Sequence, residues 1–538
     1  MDGVNTKSLH RLRLPVAAWC GVLAAAVALG TGHLLAALLE PRASPFLAVG
    51  NSAIDLTPEP VKQFAIRTFG QADKIALLGG MAIVIALLAA AAGLLSRRDA
   101  RPGVALIGAF GLLGVAAVLS RPDVGALGVL APLIAALAGI AAFRLLHRTA
   151  LAATDLPAPP RTEHDPHDTL EEPYDPELLP ETTTPDRRRF LVSSVAVAAT
   201  AGVTGAAGSL LTGGRDAEAS RRTVAQALAA SPAQTVPAGA DFAAAGTPSF
   251  LTANRDFYRI DTALSIPRVE LADWRLRVHG MVERELDLGF TELRRFPQVT
   301  RTITMTCVSN DVGGPYISTA EFTGVFLRDV LLAAGVRPGS EQVFSTSADG
   351  FTAGTPVEAL LDPERGALLA YGMNGEPLPA EHGFPVRMVT PGLYGYVSAT
   401  KWLTDLELTT FDKPAYWIER GWGRFGPIKV QSRIDRPGGF GRIPAGRTTV
   451  AGIAWAQPIG IERVEVRVDR GPWQQAQLST EVNRQTWRMW RTDVDLAPGG
   501  HTIECRATDH NGTTQTPQRA PVLPDGATGW HSVFCTAR

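Results

Sequence analysis

Apolar residues cluster along this chain in five long blocks. Leu14–Leu39, Ile75–Ser96, Gly103–Ser120, Val124–Phe143 and Phe190–Gly214 contain no Asp, Glu, Lys or Arg. A helix needs about 20 apolar residues to cross the hydrocarbon of a bilayer, so each block is long enough, the third only just. Backbone polar groups find no partner in lipid, so such blocks span as helices. From Gly246 onward the pattern changes. Short runs rich in β-branched and aromatic residues, such as Trp274–Gly280 and Val343–Thr346, alternate with helical stretches. Val325–Gly335 is one of these, an amphipathic helix with a glycine as its stop signal. In the last block, Gly441–Arg538, Val464–Asp469 alternates with period two into the turn Arg470-Gly471-Pro472, and His501–Ala507 alternates again into a turn at Asp509–Gly512.

These patterns divide the chain. A transmembrane bundle of four spans is expected over residues 1–149, a linker over 150–189, a fifth span over 190–214 and an Ala-, Ser- and Gln-rich tether over 215–245. An α+β domain follows over 246–435. Several short strands at regular spacing predict an immunoglobulin-like β-sandwich over 436–538. The linker, with Pro157, Pro159, Pro160 and Pro166 among Glu, Asp and Thr, lacks the apolar residues to bury a core and reads as disordered.

Basic residues orient the spans. Lys7, Arg11 and Arg13 precede the first, Arg97, Arg98 and Arg101 follow the second, Arg144 and Arg148 follow the fourth, and Arg187, Arg188 and Arg189 precede the fifth. With alternating spans all four clusters face one side, which the positive-inside rule assigns to the cytoplasm. The linker is then cytoplasmic and everything after Gly214 is extracytoplasmic. Asp186-Arg187-Arg188-Arg189-Phe190-Leu191 before a Gly/Ala-rich run resembles a twin-arginine export signal, and equally fits a plain positive-inside anchor. His33 is the ionisable side chain inside the bundle, with His10 and His147 near its inner ends. A histidine satisfied by its neighbours is the simplest reading.

Charge adds little. With 51 Lys+Arg against 52 Asp+Glu, nothing recommends nucleic acid as a partner. Four cysteines are too few for a disulfide scaffold. Cys505 and Cys535 fall in strands on the oxidising side, so a bridge between them and two separate buried thiols both remain open. Cys307 ends the strand-like Ile303–Thr306 and runs into the glycine-bearing loop Asp311–Pro315. A lone thiol there is commonly a small core residue, but a soft thiolate is also a natural ligand for a heavy transition metal.

Five blocks in order carry a resemblance. They are Asn254-Arg255-Asp256-Phe257-Tyr258-Arg259; Met305-Thr306-Cys307-Val308-Ser309-Asn310; Leu368 to Pro379 (LLAYGMNGEPLP), continuing as His382-Gly383-Phe384-Pro385-Val386-Arg387; Pro391-Gly392-Leu393-Tyr394-Gly395 leading to Lys401-Trp402-Leu403; and Pro427 to Arg433 (PIKVQSR). The chain is similar to the sulfite oxidase family of molybdopterin enzymes, and within it to membrane-anchored actinobacterial-type members. The resemblance implies a Mo-molybdopterin cofactor with Cys307 as the thiolate ligand of molybdenum and the catalytic centre. It implies Asn254, Phe257, Tyr258, Thr346, His382 and Arg387 around the pterin, and Ser398, Thr400 and Lys401 on its phosphate. The trailing sandwich is often a dimerisation domain in this family, so a homodimer is a further implication.

Departures from the family bear on substrate. The pair of arginines that follows the metal cysteine in sulfite oxidases is replaced by Asp311 and Val312, and Phe351 stands in the slot of a tyrosine near the substrate. Arg255 is the obvious cation left near the entry. A dianion such as sulfite is then repelled rather than steered. No cytochrome domain or CxxCH motif is present, so electrons need an unidentified partner. The resulting expectation is a membrane-anchored, exported oxidoreductase transferring an oxygen atom to or from a small molecule other than sulfite. A reductase of oxidised sulfur such as methionine sulfoxide is one alternative, and a cofactor-free tethered binding module is another.

Overall fold

The apolar blocks fold as helices in a computed structural model that describes residues 11–40, 43–69, 72–121, 124–154, 185–212, 216–228 and 236–538. Most of the expected linker, residues 155–184, lies outside the described residues. The chain forms two compact units, Met1–Gly214 and Arg215–Arg538.

The first unit holds α1 (Leu14–Leu39), α2 (Pro45–Leu56), α3 (Glu59–Phe69), α4 (Asp73–Leu95), α5 (Arg101–Leu119), α6 (Leu130–Ala152) and α7 (Pro185–Thr212). Five helices, all but the shorter α2 and α3, are long and apolar enough to cross a membrane. Prolines stand in the first turn of α1, α2 and α5, where the missing N–H costs no helical hydrogen bond. Helices α1 and α4 touch backbone to backbone. A Cβ on Gly21 would lie 1.9 Å from Ala89 O, and one on Gly93 would lie 1.9 Å from Ala17 O. Small residues at such crossings are the usual route to close helix packing in lipid. His33 packs against Gly208 of α7. His147 Nε2 donates to Ser96 O at 2.6 Å, and the Ser96 hydroxyl accepts from Gly103 N–H at 2.7 Å, so His147 ties the end of α4 to α6.

The second unit begins with α8 (Asp216–Leu228), where a tether was expected. Val224, Ala227 and Leu228 form one apolar stripe that is buried in the main core. Arg221 Nη1 donates to Leu378 O at 2.7 Å, and Ser220 Oγ accepts from Leu271 N–H at 3.0 Å. The Ala- and Gln-rich composition disguised a stripe of only three apolar residues.

Two sheets build the α+β part. One runs β2 (Leu286–Leu288), β1 (Leu276–Gly280), β10 (Leu403–Thr409), β5 (Gln342–Ser347), β6 (Thr352–Pro356), with β1 parallel to β10. The other runs β3 (Gln298–Thr306), β4 (Ile317–Phe326), β7 (Leu368–Met373), β8 (Glu376–Pro377), with β9 (Arg387–Val389) added on β7. Their apolar faces share one core that includes Leu276, Leu406, Val343, Phe322, Tyr371 and Met388. The amphipathic helix spans Leu327–Ala334, with Val325 still in β4, and stops at Gly335, whose φ of 74° favours glycine.

The C-terminal part is β-rich. A four-stranded sheet runs β11 (Gln431–Arg436), β13 (Gly446–Trp455), β17 (Arg488–Leu496), β16 (Gln477–Leu478). A five-stranded sheet runs β12 (Gly441–Ile443), β19 (His531–Ala537), β18 (Gly499–Asp509), β14 (Ile461–Val468), β15 (Gln474–Gln475). Ile434, Val450 and Trp490 of the first meet Val464, Ile503 and Val533 of the second in one core. Strand β11 lies before the boundary expected at residue 436, so this part starts a strand earlier than its alternation suggested.

The open question about Cys505 and Cys535 is settled by register. Cys535 pairs with His501 and Cys505 pairs with His531, four residues apart along β18. That is about 13 Å at 3.3 Å per residue, beyond the roughly 7 Å Cα limit of a disulfide. Both are free and buried.

Candidate active site

Cys307 is the first residue after strand β3, where the chain leaves the sheet. Cys307 N–H donates to Tyr316 O at 3.0 Å, and Asn310 N–H donates to Cys307 O at 3.1 Å, closing the base of the loop. Burial pushes the thiol up to about 11, with hydrogen bonds from Ser309 and the charge of Lys401 pulling the other way. An unligated thiol here is therefore protonated, and a metal ion would have to supply the stabilisation of the thiolate.

Polar and aromatic side chains stand around it. The turn Asn254–Asp256 brings Phe257 and Tyr258 alongside. Phe257 is buried and packs edge-on against Phe322 and His382, with ring centroids at 6.1 and 5.4 Å. Burial lowers the acidity of the Tyr258 phenol, and the nearby Arg387 guanidinium opposes that shift. Asn254 Oδ1 accepts from Asn374 Nδ2 at 2.8 Å, while Asn254 O accepts from His382 Nε2 at 3.0 Å. Burial, with Lys401 and Arg387 nearby, holds His382 neutral, down to about 3.

Arg387, on β9, is buried and donates to the carbonyls of His382 at 3.1 Å and of Met388 and Ala399 at 3.3 Å each. Desolvation lowers its guanidinium to about 10. Lys401 Nζ donates to Asp261 Oδ2 at 2.9 Å and to Glu381 O at 3.0 Å, and Arg259 Nε reaches the same Asp261 oxygen at 2.9 Å. Gly383 allows this convergence. Its φ is 109°, and a Cβ there would lie 3.0 Å from Lys401 Cβ and 3.1 Å from Arg387 Cβ. Lys401 and Arg259 thus share one carboxylate, with the Arg387 guanidinium close enough to feel its charge, a set of cations that suits an anion.

The other assigned residues have local partners. Ser398 Oγ donates to Tyr394 O at 3.0 Å and Leu393 O at 3.3 Å, closing its own turn. Thr400 Oγ1 pairs with Ser345 Oγ at 2.7 Å, a partner sequence reasoning missed. Thr346, half-buried on β5, gives its carbonyl to Thr404 Oγ1 at 3.2 Å. Phe351 packs on Tyr416 with centroids 5.9 Å apart. The Arg255 side chain is 88% exposed and paired with Asp256 at 3.4 Å. The short turn points it to solvent, and Arg259 with Asp261 takes the place next to Lys401. Arg259 had no sequence signal beyond ending the first block, and Asp261, two residues further on, had none.

The side chains around Cys307 fit molybdopterin by their own chemistry. Thr306 Oγ1, Asn310 Nδ2 and His382 Nδ1 are buried without hydrogen-bond partners among the described residues. Such orphans are rare in a finished interior, so a polar group that satisfies them is the natural complement. The cationic excess at Arg259, Arg387 and Lys401 matches a phosphate, and the loop thiol matches a soft metal.

The comparisons define the class. The family described as "Oxidoreductase molybdopterin binding domain" matches residues 263–417. The sulfite oxidase of Gallus gallus is 32% identical over 335 residues, covering 52% of this chain and 72% of that protein. The mitochondrial sulfite oxidase of Macaca fascicularis is 30% identical over 329 residues, covering 51% of this chain and 59% of that protein, less than two thirds of its length. The solved sulfane dehydrogenase SoxCD from Paracoccus pantotrophus superposes with a TM-score of 0.47 at 23% identity, covering 56% of this chain and 85% of that one. The class is therefore that of oxidoreductases that bind Mo-molybdopterin. Within it, the chain belongs to the sulfite oxidase family.

Proposed function

We propose that this protein is a membrane-anchored, exported oxidoreductase that transfers an oxygen atom to or from a small molecule other than sulfite. Cys307 is read as the molybdenum ligand, Asn254, Phe257, Tyr258, Thr346 and His382 as the pterin wall, and Arg387, Thr400 and Lys401, joined by Arg259, as the hold on the phosphate. Bound molybdopterin supplies two-electron oxygen-atom transfer. The chain supplies a desolvated cleft, a fixed thiol and fixed cations. The observation that carries the substrate reading is the loop after Cys307, whose own residues, Asp311 and Val312 among them, include no cation to collect a dianion, while the Arg433 guanidinium at its tip is engaged by Gly314 O and Asp435.

Five apolar helices and four agreeing basic clusters support the anchoring, with residues 1–149 and 190–214 in the bilayer and residues after 214 outside. The two facing sheets of the C-terminal part support an immunoglobulin-like sandwich over about 436–538, joined to a molybdopterin domain over about 246–435. Electrons then pass to or from an outside partner. A reductase of oxidised sulfur is the second reading, because a neutral sulfoxide escapes the penalty that an acidic loop imposes on sulfite.

The full chain in detergent, with its molybdenum content measured, tests this. Reduction of dimethyl sulfoxide or trimethylamine N-oxide by a reduced viologen should far exceed oxidation of sulfite by ferricyanide. Efficient sulfite oxidation would overturn the substrate reading, and absence of molybdenum from protein made in a molybdopterin-producing host would overturn the site assignment.

A further inference from the structure

We propose that Arg433 and His531, both from the C-terminal β-rich part, are positioning residues for Cys307, clamping the tip of the loop Asn310–Pro315 from a different sheet. The proposal rests on the reading of Cys307 as the metal ligand.

The loop's own bonds give it a shape. Gly314 N–H donates to Asp311 O at 2.8 Å, and Tyr316 N–H donates to Asn310 Oδ1 at 2.8 Å. These bonds do not fix where the loop stands against the rest of the molecule. Arg433 does: its Nη1 donates to Gly314 O at 2.8 Å while its Nε is held by Asp435 Oδ1 at 2.8 Å, so the guanidinium spans from the loop to β11. His531 closes the other side. Its Nδ1 accepts from Ile434 N–H at 2.9 Å, which turns the opposite ring edge toward Gly313. A Cβ on Gly313 would lie 2.3 Å from both Cδ2 and Nε2 of that ring, and the φ of 82° already favours glycine. The strand leading into Cys307 is braced from the same part. Thr304 N–H donates to Gln485 O at 3.0 Å, Trp487 N–H to Thr304 Oγ1 at 2.7 Å, and Gln457 Nε2 to Thr304 O at 3.1 Å. Val308 and Val312 pack with Ile453, Trp455 and Trp487 on that side. The C-terminal part is thus an outer wall of the metal site, and small errors in such supporting groups loosen a site by amounts that matter to its chemistry.

The test uses the full chain, purified in detergent with its molybdopterin. Arg433→Met removes the clamp from one side and Gly313→Ala pushes it away from the other, while Arg433→Lys keeps a donor. Amide exchange in the segment 308–316 should rise about tenfold in the first two variants, the scale expected for losing one charge-assisted hydrogen bond. The Mo(V) EPR signal should shift in both, with cofactor content unchanged and Arg433→Lys in between. Arg447→Met, which breaks an exposed pair with Asp493, should leave both readings as in the parent. Unchanged exchange overturns the clamp, and faster exchange with an unshifted signal overturns the positioning role. An unaltered Mo(V) signal in Cys307→Ser would instead overturn the ligand reading beneath it.

Discussion

Lys401 Nζ lies 2.9 Å from Asp261 Oδ2, both side chains largely buried, and Arg259 Nε shares that oxygen at 2.9 Å. Without a phosphate, Asp261 is the anion next to two cations. With one, it becomes a competitor. Asp261→Asn should therefore destabilise cofactor-free protein by about 3 kcal/mol, the cost of orphaning buried charge. The loss should be much smaller in cofactor-loaded protein. Thermal unfolding of the two forms measures the difference, and equal losses would remove the phosphate from Lys401.

Cys307→Ser should abolish turnover while most of the pterin stays bound. The organic part is held by residues on other elements, with Arg387 on β9, Lys401 ahead of β10 and Asn254 in its own turn. Serine keeps the shape of the loop but offers a hard oxygen in place of a soft thiolate. Pterin fluorescence after denaturation, set against metal content, separates the two; wholesale loss of pterin would contradict the assignment.

What the sequence made legible was local. The apolar helices are contiguous uncharged blocks, and β14 and β18 show their alternation over a few residues, so local pattern was enough. Cys307, Arg387 and Lys401 could be proposed for the site because each sits inside a contiguous family block. Asp261 lies in irregular chain with no period to flag it. Arg433 and His531 meet the Cys307 loop from more than a hundred residues away in sequence. Ser398 carried a family role, yet its hydroxyl turned inward because a short helical turn offers it the carbonyl four residues back. One 3₁₀ turn leaves Arg255 exposed and brings Arg259 beside Asp261. Pairing register, which keeps Cys505 and Cys535 apart, is a property of two strands together and is not written in either alone.

The thiols give a direct check on that register. Denatured without reductant, the protein should react with four equivalents of an alkylating reagent, one for each cysteine. Two unreactive thiols released by reduction would mean a bridge, and hence a different pairing of β18 with β19.

Membrane topology is tested by reporter fusions after Arg148 and after Gly214. The basic residues at Arg144, Arg148 and Arg187–Arg189 flank the segment between α6 and α7 on both ends, so it should report the cytoplasmic side. The fusion after Gly214 should report the opposite side. One side for both would remove the fifth span.

Acid should weaken the second unit through His531. Burial, with Arg433 and Arg519 nearby, holds its imidazole down to about 4, against 6.5 for the free side chain. Between those values the unfolded chain binds a proton that the folded chain refuses, so stability falls as pH drops from about 6.5 toward 4 and levels off below. The depression corresponds to at most about 3 kcal/mol at 1.36 kcal/mol per unit. His382 works in the same direction, but its lower value of about 3 extends the loss to more acid pH. Asp349 and Asp435 oppose it, because burial raises both carboxyls and the folded state then takes up protons first. Comparing one variant with its parent cancels these shared contributions. His531→Gln keeps an acceptor for Ile434 N–H but has nothing to titrate. Its denaturant midpoint should therefore depend less on pH between 6.5 and 4 than that of the parent, and equal slopes would mean that His531 is protonated in the folded state.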